Sequence, residues 1–409
     1  MIINTTSDYF EKLNSLLKNT ESETIATYIE WIIIKKYSSY LSSDIFEVFK
    51  NYSGTGQYPK NLICIILLNQ SLSMNSGEIF NKKAFGADDK KNIEVMIKNI
   101  EESMNKRISE LSWLDETTKE NANKKAHSLI KEVGYPDFIM NPKELYEYSK
   151  DLEIDPNEFF NNLINYIKFK NTKDNKQLET EESSKDWVLS PIEANAYYKM
   201  NSNKYVFPAG ILQSPFYNSF NPNYLNYGGI GMIIGHELSH AFDNNGKLFD
   251  YEGKLNNWWT NSTSKEFENL SQCFVKQYNQ YYITDTEGEK HYINGSYSLG
   301  ENLGDNGGIS RSYEAWKLSL ENDPDSKEKN KSIPGLSKYT HDQLFFIAFG
   351  QNWCSKNSAE TNIKYYLKNE HPPSKFRVIG TISNSEYFAT AFKCKKNSPM
   401  NPEKKCKIW

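Results

Sequence analysis

The residues best suited to chemistry in this sequence form the pentapeptide His236-Glu237-Leu238-Ser239-His240. On a helix, residues four apart share a face, so both imidazoles could bind one metal ion. Glu237 follows the first histidine directly and could face a water molecule at that metal. Chance seldom produces this pattern in a chain with only six histidines. The alternative is a pair of core histidines whose ring nitrogens are satisfied by backbone carbonyls.

A catalytic zinc ion needs a third protein ligand and an open coordination position. The segment Gly300-Glu301-Asn302-Leu303-Gly304-Asp305 offers that ligand, since Glu301 and Asp305 are again four residues apart. Glu301 could bind the metal while Asp305 accepts the free ring N–H of a histidine ligand and fixes its tautomer. Alone, such a carboxylate pair is more often a solvated helix face. Downstream of an H-E-x-x-H helix and flanked by glycines, it indicates a metal site.

Several elements must position these residues. The histidine helix is predicted to begin after Tyr227-Gly228-Gly229 and to be apolar nearly all round, hence buried. Short strands are predicted at Ala194 to Tyr198 and Lys204 to Phe207. Helices with apolar spacing are predicted from 24 to 82, and a longer helical pattern from 90 to 133 predicts one core-facing stripe. The stripe consists of Ile93, Met96, Ile97, Ile100, Met104, Ile108 and Leu111. The predicted fold class is mainly α with a small β region (α+β).

Composition excludes several classes of protein. With 409 residues, 38% of them hydrophobic, the chain is long enough for two domains with cores of their own. A net charge of -4, with 48 basic and 52 acidic residues interleaved, argues against nucleic acid as a partner. The longest apolar stretches, such as Leu62 to Leu68, are far shorter than a membrane span. Met1 to Ser15 lacks the features of a signal peptide.

Further motifs agree in order and spacing with one family of enzymes. They are Asn195-Ala196-Tyr197-Tyr198, Val206-Phe207-Pro208-Ala209-Gly210-Ile211-Leu212, the histidine helix, the segment with Glu301, and the carboxyl-terminal residues Asn401 to Trp409. Together they strongly resemble the neprilysin and endothelin-converting enzyme family of zinc metallopeptidases, from about Thr24 onward. The resemblance implies a thermolysin-like catalytic domain at residues 90–409 and part of a helical capping domain at residues 1–89.

The resemblance also implies roles for residues outside the metal site. In that family an Asn-Ala pair hydrogen-bonds the substrate backbone, which places this role at Asn195 and Ala196, although an ordinary edge strand is the alternative. The spacing of His371 and Arg377 matches a family histidine that stabilises the oxyanion and an arginine that orients the active site and the substrate carbonyl. An apolar substrate pocket, or alternatively plain core packing, is implied for Ile211, Phe216, Met232, Ile233 and Trp353.

The function implied is that of a zinc-dependent metalloendopeptidase with one Zn²⁺ per chain, held by His236, His240 and Glu301. Glu237 would take a proton from the zinc-bound water that attacks the scissile carbonyl. Short peptides would be cut on the amino side of hydrophobic residues. The competing hypothesis is a truncated, weak or inactive zinc-binding remnant of such an enzyme. Because zinc binding alone does not require Glu237, its presence favours the enzyme.

The five cysteines bear on the compartment of the protein. The resemblance implies a disulfide between Cys273 and Cys406, whereas Cys64, Cys354 and Cys394 match cysteines whose family partners lie upstream. Three thiols are thus expected to lack partners. We expect a fragment, a truncated gene model or a divergent short form. The first two imply an extracellular or cell-surface parent, because disulfides persist in oxidising compartments.

Overall fold

The computed structural model of the chain describes residues 8–53, 59–179, 187, 189–366 and 368–409. Residues 1–7 of the amino-terminal segment that lacks the features of a signal peptide lie outside them. The chain divides into two compact units. The first combines Met1–Ser71 with Tyr146–Glu182, and the second combines Leu72–Leu145 with Ser183–Trp409. This division differs from a single boundary at residue 89. The assignment of capping and catalytic domains stays a prediction.

Helices dominate the described residues, which confirms the predicted fold class. The α-helices are α1 (Tyr9–Lys18), α2 (Ser22–Tyr37), α3 (Ser43–Ser53), α4 (Lys60–Ser71), α5 (Ser73–Ala84), α6 (Ala87–Glu110), α7 (Glu116–His127), α8 (Pro142–Ser149), α9 (Phe159–Glu179), α10 (Asn223–Asn226), α11 (Met232–His240), α12 (Asn261–Tyr278), α13 (Leu299–Asn322), α14 (Ser326–Lys329), α15 (His341–Asn352), α16 (Ala359–Tyr366), α17 (Ser374–Asn384) and α18 (Glu386–Ala391). Within the described ranges, no helix is both long and apolar enough to cross a membrane.

Strands form two small sheets in the second unit. The strands are β1 (Ile130–Gly134), β2 (Tyr197–Lys199), β3 (Lys204–Pro208), β4 (Tyr282–Thr284) and β5 (Lys290–Tyr292). In the first sheet β3 lies in the middle, parallel to β1 and antiparallel to β2. One side of β2 is therefore an unpaired edge in this sheet. Strands β4 and β5 form a separate antiparallel hairpin.

The first unit contains the predicted amino-terminal helices, but much of their apolar surface is exposed. Ile29, Ile32 and Ile33 on α2 are 51%, 44% and 51% exposed, and neither α1 nor α2 has a buried residue. Apolar spacing identifies a helix but does not show what covers its apolar face. The periodicity therefore predicted these helices correctly and left their packing undetermined.

The core of the second unit surrounds two helices, α11 and α13, which pack against each other. Helix α6 packs against α13, and its predicted apolar stripe is 0% to 6% exposed. The histidine helix begins earlier than predicted, because α10 continues through a π-helical turn at Tyr227–Gly231 into α11. The glycines there are inside the helical segment and do not precede it. The predicted burial of this helix is confirmed, since every residue from Met232 to Ser239 is buried.

The disulfide between Cys273 and Cys406 is present and joins α12 to the carboxyl-terminal segment across 133 residues of chain. Closing a loop of this size restricts the unfolded chain and contributes about 4 to 5 kcal/mol in the chain-entropy model. The other three cysteines are free among the described residues, as expected. Cys64 and Cys354 are exposed and Cys394 is half-buried.

Asp115 joins the amino termini of α7 and α12. Its side chain accepts a hydrogen bond of 2.8 Å from the backbone N–H of Thr118 in the first turn of α7. It also accepts hydrogen bonds from the hydroxyls of Thr260, which caps α12, and Thr263. The Thr260 and Thr263 hydroxyls hold the pKa of Asp115 well below its ordinary value of 3.8.

We expect Asp115→Ala to lower the free energy of unfolding by about 1 to 3 kcal/mol. The change removes a helix cap and the carboxylate that accepts hydrogen bonds from two threonine hydroxyls. The folded-state pKa is depressed, so the carboxylate's contribution is fully present above pH 4 and declines as the pH falls below that value. Urea unfolding at pH 6, 4 and 3 should show the variant approaching the wild type at the acid end. A difference that stays constant across these pH values would exclude an ionised Asp115 as its source.

Candidate metal and active site

His236 and His240 lie one turn apart on α11 and direct the same ring nitrogen to one point. Their Nε2 atoms are 2.9 Å apart, with the two rings nearly perpendicular. Two neutral imidazoles cannot both accept at such a contact, whereas both lone pairs can bind one cation. The arrangement is that of two ligands of a single metal ion.

Glu301, in the first turn of α13, completes the group. Its carboxylate oxygens lie 3.3 Å from His236 Nε2 and 3.7 Å from His240 Nε2. The three side chains form a cluster that could hold a metal ion. Glycines on α13 allow this approach, because a Cβ atom at Gly304 would lie 2.8 Å from the His236 ring and one at Gly308 would lie 2.6 Å from the His236 backbone nitrogen.

A carboxylate behind each histidine fixes its tautomer. Asp305 Oδ1 lies 2.9 Å from His236 Nδ1, as the sequence predicted. Asp243 Oδ2 lies 2.6 Å from His240 Nδ1, which the sequence analysis missed. With each Nδ1–H donated to a carboxylate, Nε2 is left with a lone pair for a metal. Asp243 lies in the turn that follows α11, and its position three residues after His240 was the signal that could have identified it.

The electrostatics of the cluster fit a divalent cation. Burial lowers the pKa of His236, but Asp305 and Glu301 outweigh burial and raise the pKa to about 10. Burial raises the pKa of Glu301, but the neighbouring His236 and His371 hold that pKa well below its usual range. Glu301 Oε2 is buried and has no aligned hydrogen-bond donor within the part of the chain that the structure describes. Two imidazole nitrogens and one carboxylate oxygen are the donor set of a catalytic zinc site, so the residues present fit Zn²⁺.

A cleft of about 460 Å³ opens beside this cluster. It brings together predicted residues from four parts of the chain: Asn195, Ala196, Glu237, His371 and Arg377 all line it. Glu237 is 6% exposed and Asn195 is exposed. Asn195 and Ala196 immediately precede β2, whose outer side is an unpaired edge. The cleft thus contains a carboxylate, a metal-binding group and an extended backbone segment.

The predicted apolar pocket is present in part. Ile211, Phe216, Ile233 and Trp353 line the cleft, but Met232 does not. Met232 is 0% exposed in the core, whereas the adjacent Ile233 reaches the cleft. Consecutive residues of a helix point about 100° apart, and Met232 lies on the side of α11 that faces the core. The assignment of Met232 to the pocket is therefore not supported by its position.

Arg377 and His371 both contact carboxylates of the metal site. Arg377 is buried and forms a two-pronged ion pair with Asp305, at 2.8 Å from Nε and 2.5 Å from Nη2. Its guanidinium carbon lies 3.9 Å from the ring centroid of Trp353, which makes Trp353 a support for Arg377 as well as a cleft residue. His371 is partly exposed, and its Nε2 atom lies 2.9 Å from Glu301 Oε2.

A lysine that the sequence analysis did not single out holds the chain that follows the second histidine. Lys125, on α7, is 1% exposed. Its Nζ atom donates hydrogen bonds to the carbonyls of Ala241, Gly246 and Phe249 at 2.8, 2.7 and 2.6 Å. Burial lowers the pKa of Lys125 to about 7, against the opposing charges of the nearby Asp243 and Asp250. The ammonium thus fastens the loop that carries Asp243.

We expect Lys125→Met to lower the free energy of unfolding by about 2 to 4 kcal/mol, because three buried carbonyls lose a charged donor. Since the same loop carries Asp243, the variant should also release zinc to a competing chelator more readily. Urea unfolding and chelator competition measure the two effects. The exposed neighbour Lys124 provides the control, and Lys124→Met should change neither strongly. Equal behaviour of the two variants would contradict the role of Lys125.

Two protein-family models together match most of the chain. Residues 195–408 match a family model described as Peptidase family M13, and residues 1–136 match a second model with the same description. The first match includes every residue of the metal cluster. The second extends past residue 89, the boundary predicted for the capping domain.

Curated and solved proteins agree with these matches. The chain is 37% identical to an endothelin-converting enzyme homolog of Locusta migratoria and 36% identical to endothelin-converting enzyme 1 of Mus musculus, with 98% of this chain and 55% and 52% of those proteins covered. It thus spans about half the length of these relatives. A crystal structure of a Mycobacterium tuberculosis zinc metalloprotease in complex with an inhibitor is similar over 98% of this chain and 60% of that chain, with a TM-score of 0.86 and 27% identity.

Proposed function

The chain belongs to peptidase family M13, and on that basis we propose that it is a zinc-dependent metalloendopeptidase that hydrolyses short peptides. One observation carries this proposal. His236, His240 and Glu301 converge on one point, and a carboxylate behind each histidine leaves Nε2 free to bind a metal. A structural zinc site would be closed by four protein ligands, whereas three ligands beside an open cleft suit catalysis.

Glu237 is the proposed general base. When bound, Zn²⁺ would supply a Lewis acid that lowers the pKa of water and polarises a carbonyl. Glu237 follows a ligand on the same helix and lines the cleft, so its carboxylate can accept a proton from the attacking water and pass it to the leaving amine. Zinc binding does not require this carboxylate, which is why its presence favours an enzyme over an inactive zinc-binding remnant.

The substrate is proposed to lie along the edge of β2. Asn195 and Ala196 lie next to the outer edge of β2, which pairs with no further strand among the described residues, so an extended peptide can add there as a further strand. Ile211, Phe216 and Ile233 offer an apolar wall for the side chain that follows the scissile bond. This wall supports the proposed cleavage on the amino side of hydrophobic residues.

His371 is proposed to act on the scissile carbonyl directly, and Arg377 is proposed to support the site behind it. His371 reaches the metal group from the open side of the cleft and can donate to an oxyanion as charge develops on it. Arg377 is locked by Asp305 and Trp353, so it acts mainly by orienting His236 through Asp305. Both assignments are supported by position in the cleft.

We also propose a cellular compartment for the protein and a role for each of the two parts of the chain. The Cys273–Cys406 disulfide suits an oxidising compartment, so the working site is extracellular or at the cell surface. Residues 1–89 are assigned to a helical cap that limits substrate size, and residues 90–409 to the catalytic domain.

The test is hydrolysis of a quenched fluorescent peptide with a central Phe or Leu by the purified chain. We expect cleavage on the amino side of that residue, identified by mass spectrometry of the products. A chelator should abolish cleavage, and zinc added afterwards should restore it. A chain that holds one zinc ion and cleaves no such peptide would contradict the proposal and support the inactive remnant.

A further inference from the structure

We propose that the second unit binds a small oxyanion in a separate cavity behind the metal site. This cavity has a volume of about 210 Å³, is open on one side, and is lined by α6, α13, the junction of α17 and α18, and the carboxyl-terminal segment. Its polar lining includes Arg107, Asn306, Arg311, Asn384, Tyr387 and Lys407. It shares no lining residue with the cleft of the metal site.

Arg311 is the buried donor at the base of the cavity. It is 2% exposed, and both of its terminal nitrogens bind Glu314, at 2.8 and 2.9 Å. Glu314 also accepts the hydroxyl of Tyr387 at 2.8 Å, so this carboxylate is fully engaged. The Nε atom of Arg311 is buried and has no hydrogen-bond partner among the described residues. A buried charged donor without an acceptor is costly, and an anion bound nearby would offset the charge of Arg311.

Arg107 adds a second cation without a counterion. Its Nε atom is also buried and unpartnered, and within the described ranges its guanidinium forms no ion pair. Its charge is close enough to oppose protonation of Arg311. The remaining acidic residue of the lining, Glu386, already pairs with Lys407. The charged side chains of the lining are thus three cations and two carboxylates, which leaves one positive charge unbalanced.

An oxyanion matches these donors. Guanidinium N–H groups bind phosphate, sulfate and carboxylate oxygens with good geometry, and the unbalanced charge repels cations. The volume is roughly seven times the share of one liquid water, which leaves room for a tetrahedral anion and some water. Because phosphate, sulfate and carboxylates share this chemistry, separate titrations must distinguish them.

Anion binding should stabilise the helix that supplies the third metal ligand. Asn306, which lines the cavity, directly follows Asp305 on α13 and accepts a hydrogen bond of 2.9 Å from Asn384 on α17. An anion that ties α6 to this end of α13 would stabilise the folded state without contacting the cleft. The inference does not depend on peptidase activity.

Calorimetric titration of the zinc-loaded chain with sodium sulfate, sodium phosphate and sodium acetate, each at constant ionic strength, tests the proposal. We expect saturable binding of at least one anion, with one site per chain. Arg107→Gln should weaken it at least tenfold, and Lys106→Gln, which changes the exposed neighbour, should weaken it less than twofold. Urea unfolding without anion should be nearly unchanged in Arg107→Gln, since this arginine has no partner to lose.

Two results would overturn the site. One is the absence of saturable binding of all three anions to the wild-type chain. The other is equal binding by wild type and Arg107→Gln, which would place the anion elsewhere, for example at the metal. Because binding is measured directly, neither result bears on whether the chain cleaves peptides.

Discussion

Replacing Glu237 with Gln is expected to lower kcat for peptide hydrolysis by about 10² to 10⁴-fold, the usual contribution of a general acid–base group. The amide has nearly the shape of the carboxylate but cannot accept a proton from water. Glu237 is buried beside the cleft and is not one of the three clustered ligands. The variant should therefore keep its zinc and its fold while losing the chemical step.

Three measurements separate this loss from other causes. Zinc content by atomic absorption should stay at one ion per chain, and the urea midpoint should match the wild type. KM should change little, because the peptide is held by other residues. Glu120→Gln, which alters an exposed carboxylate on α7, serves as the matched control and should retain full activity. Wild-type kcat in zinc-loaded Glu237→Gln would rule out Glu237 as the base.

Local spacing predicted the inner part of the site because helix geometry is regular. Two histidines four apart on α11, and Glu301 and Asp305 four apart on α13, must each share a face. The structure places all four together, and spacing alone was enough to group them in pairs. That the two pairs meet was predicted from the need of a catalytic zinc for a third ligand and from the glycines around Glu301, since nothing in either segment alone specifies its partner.

Other features depend on contacts that local patterns do not contain. Met232 and Ile233 are equally apolar, and only the packing of α11 decides which one faces the cleft. In the sequence, Lys125 is one of several charged residues in a polar helix. In the structure, its ammonium is buried and donates hydrogen bonds to three backbone carbonyls more than a hundred residues away in sequence. The return of residues 146–182 to the first unit is likewise a long-range contact. Periodicity predicts helices and strands but does not predict which of them contact each other.

Arg377→Met is expected to lower the free energy of unfolding by about 3 to 5 kcal/mol and to reduce peptide hydrolysis strongly. Asp305 is 0% exposed, and its two oxygens bind the Arg377 guanidinium. The guanidinium charge outweighs burial and holds the pKa of Asp305 below its ordinary value. Removing one partner of a buried ion pair leaves the other charge uncompensated, which is the costly case. Asp305 would then orient His236 less firmly.

A double-mutant cycle isolates this pair. Arg377→Met, Asp305→Asn and the double variant should show a coupling of about 0.5 to 3 kcal/mol in urea unfolding, with the double variant more stable than the sum of the single changes predicts. Arg377→Lys should give an intermediate loss, because an ammonium keeps the charge but not the planar fork that matches a carboxylate. Competition with a chelator should show weaker zinc retention in Arg377→Met than in Arg377→Lys. If Arg377→Met unfolds at the wild-type urea midpoint, the buried pair does not stabilise the site, and any loss of activity must come from direct contact with substrate.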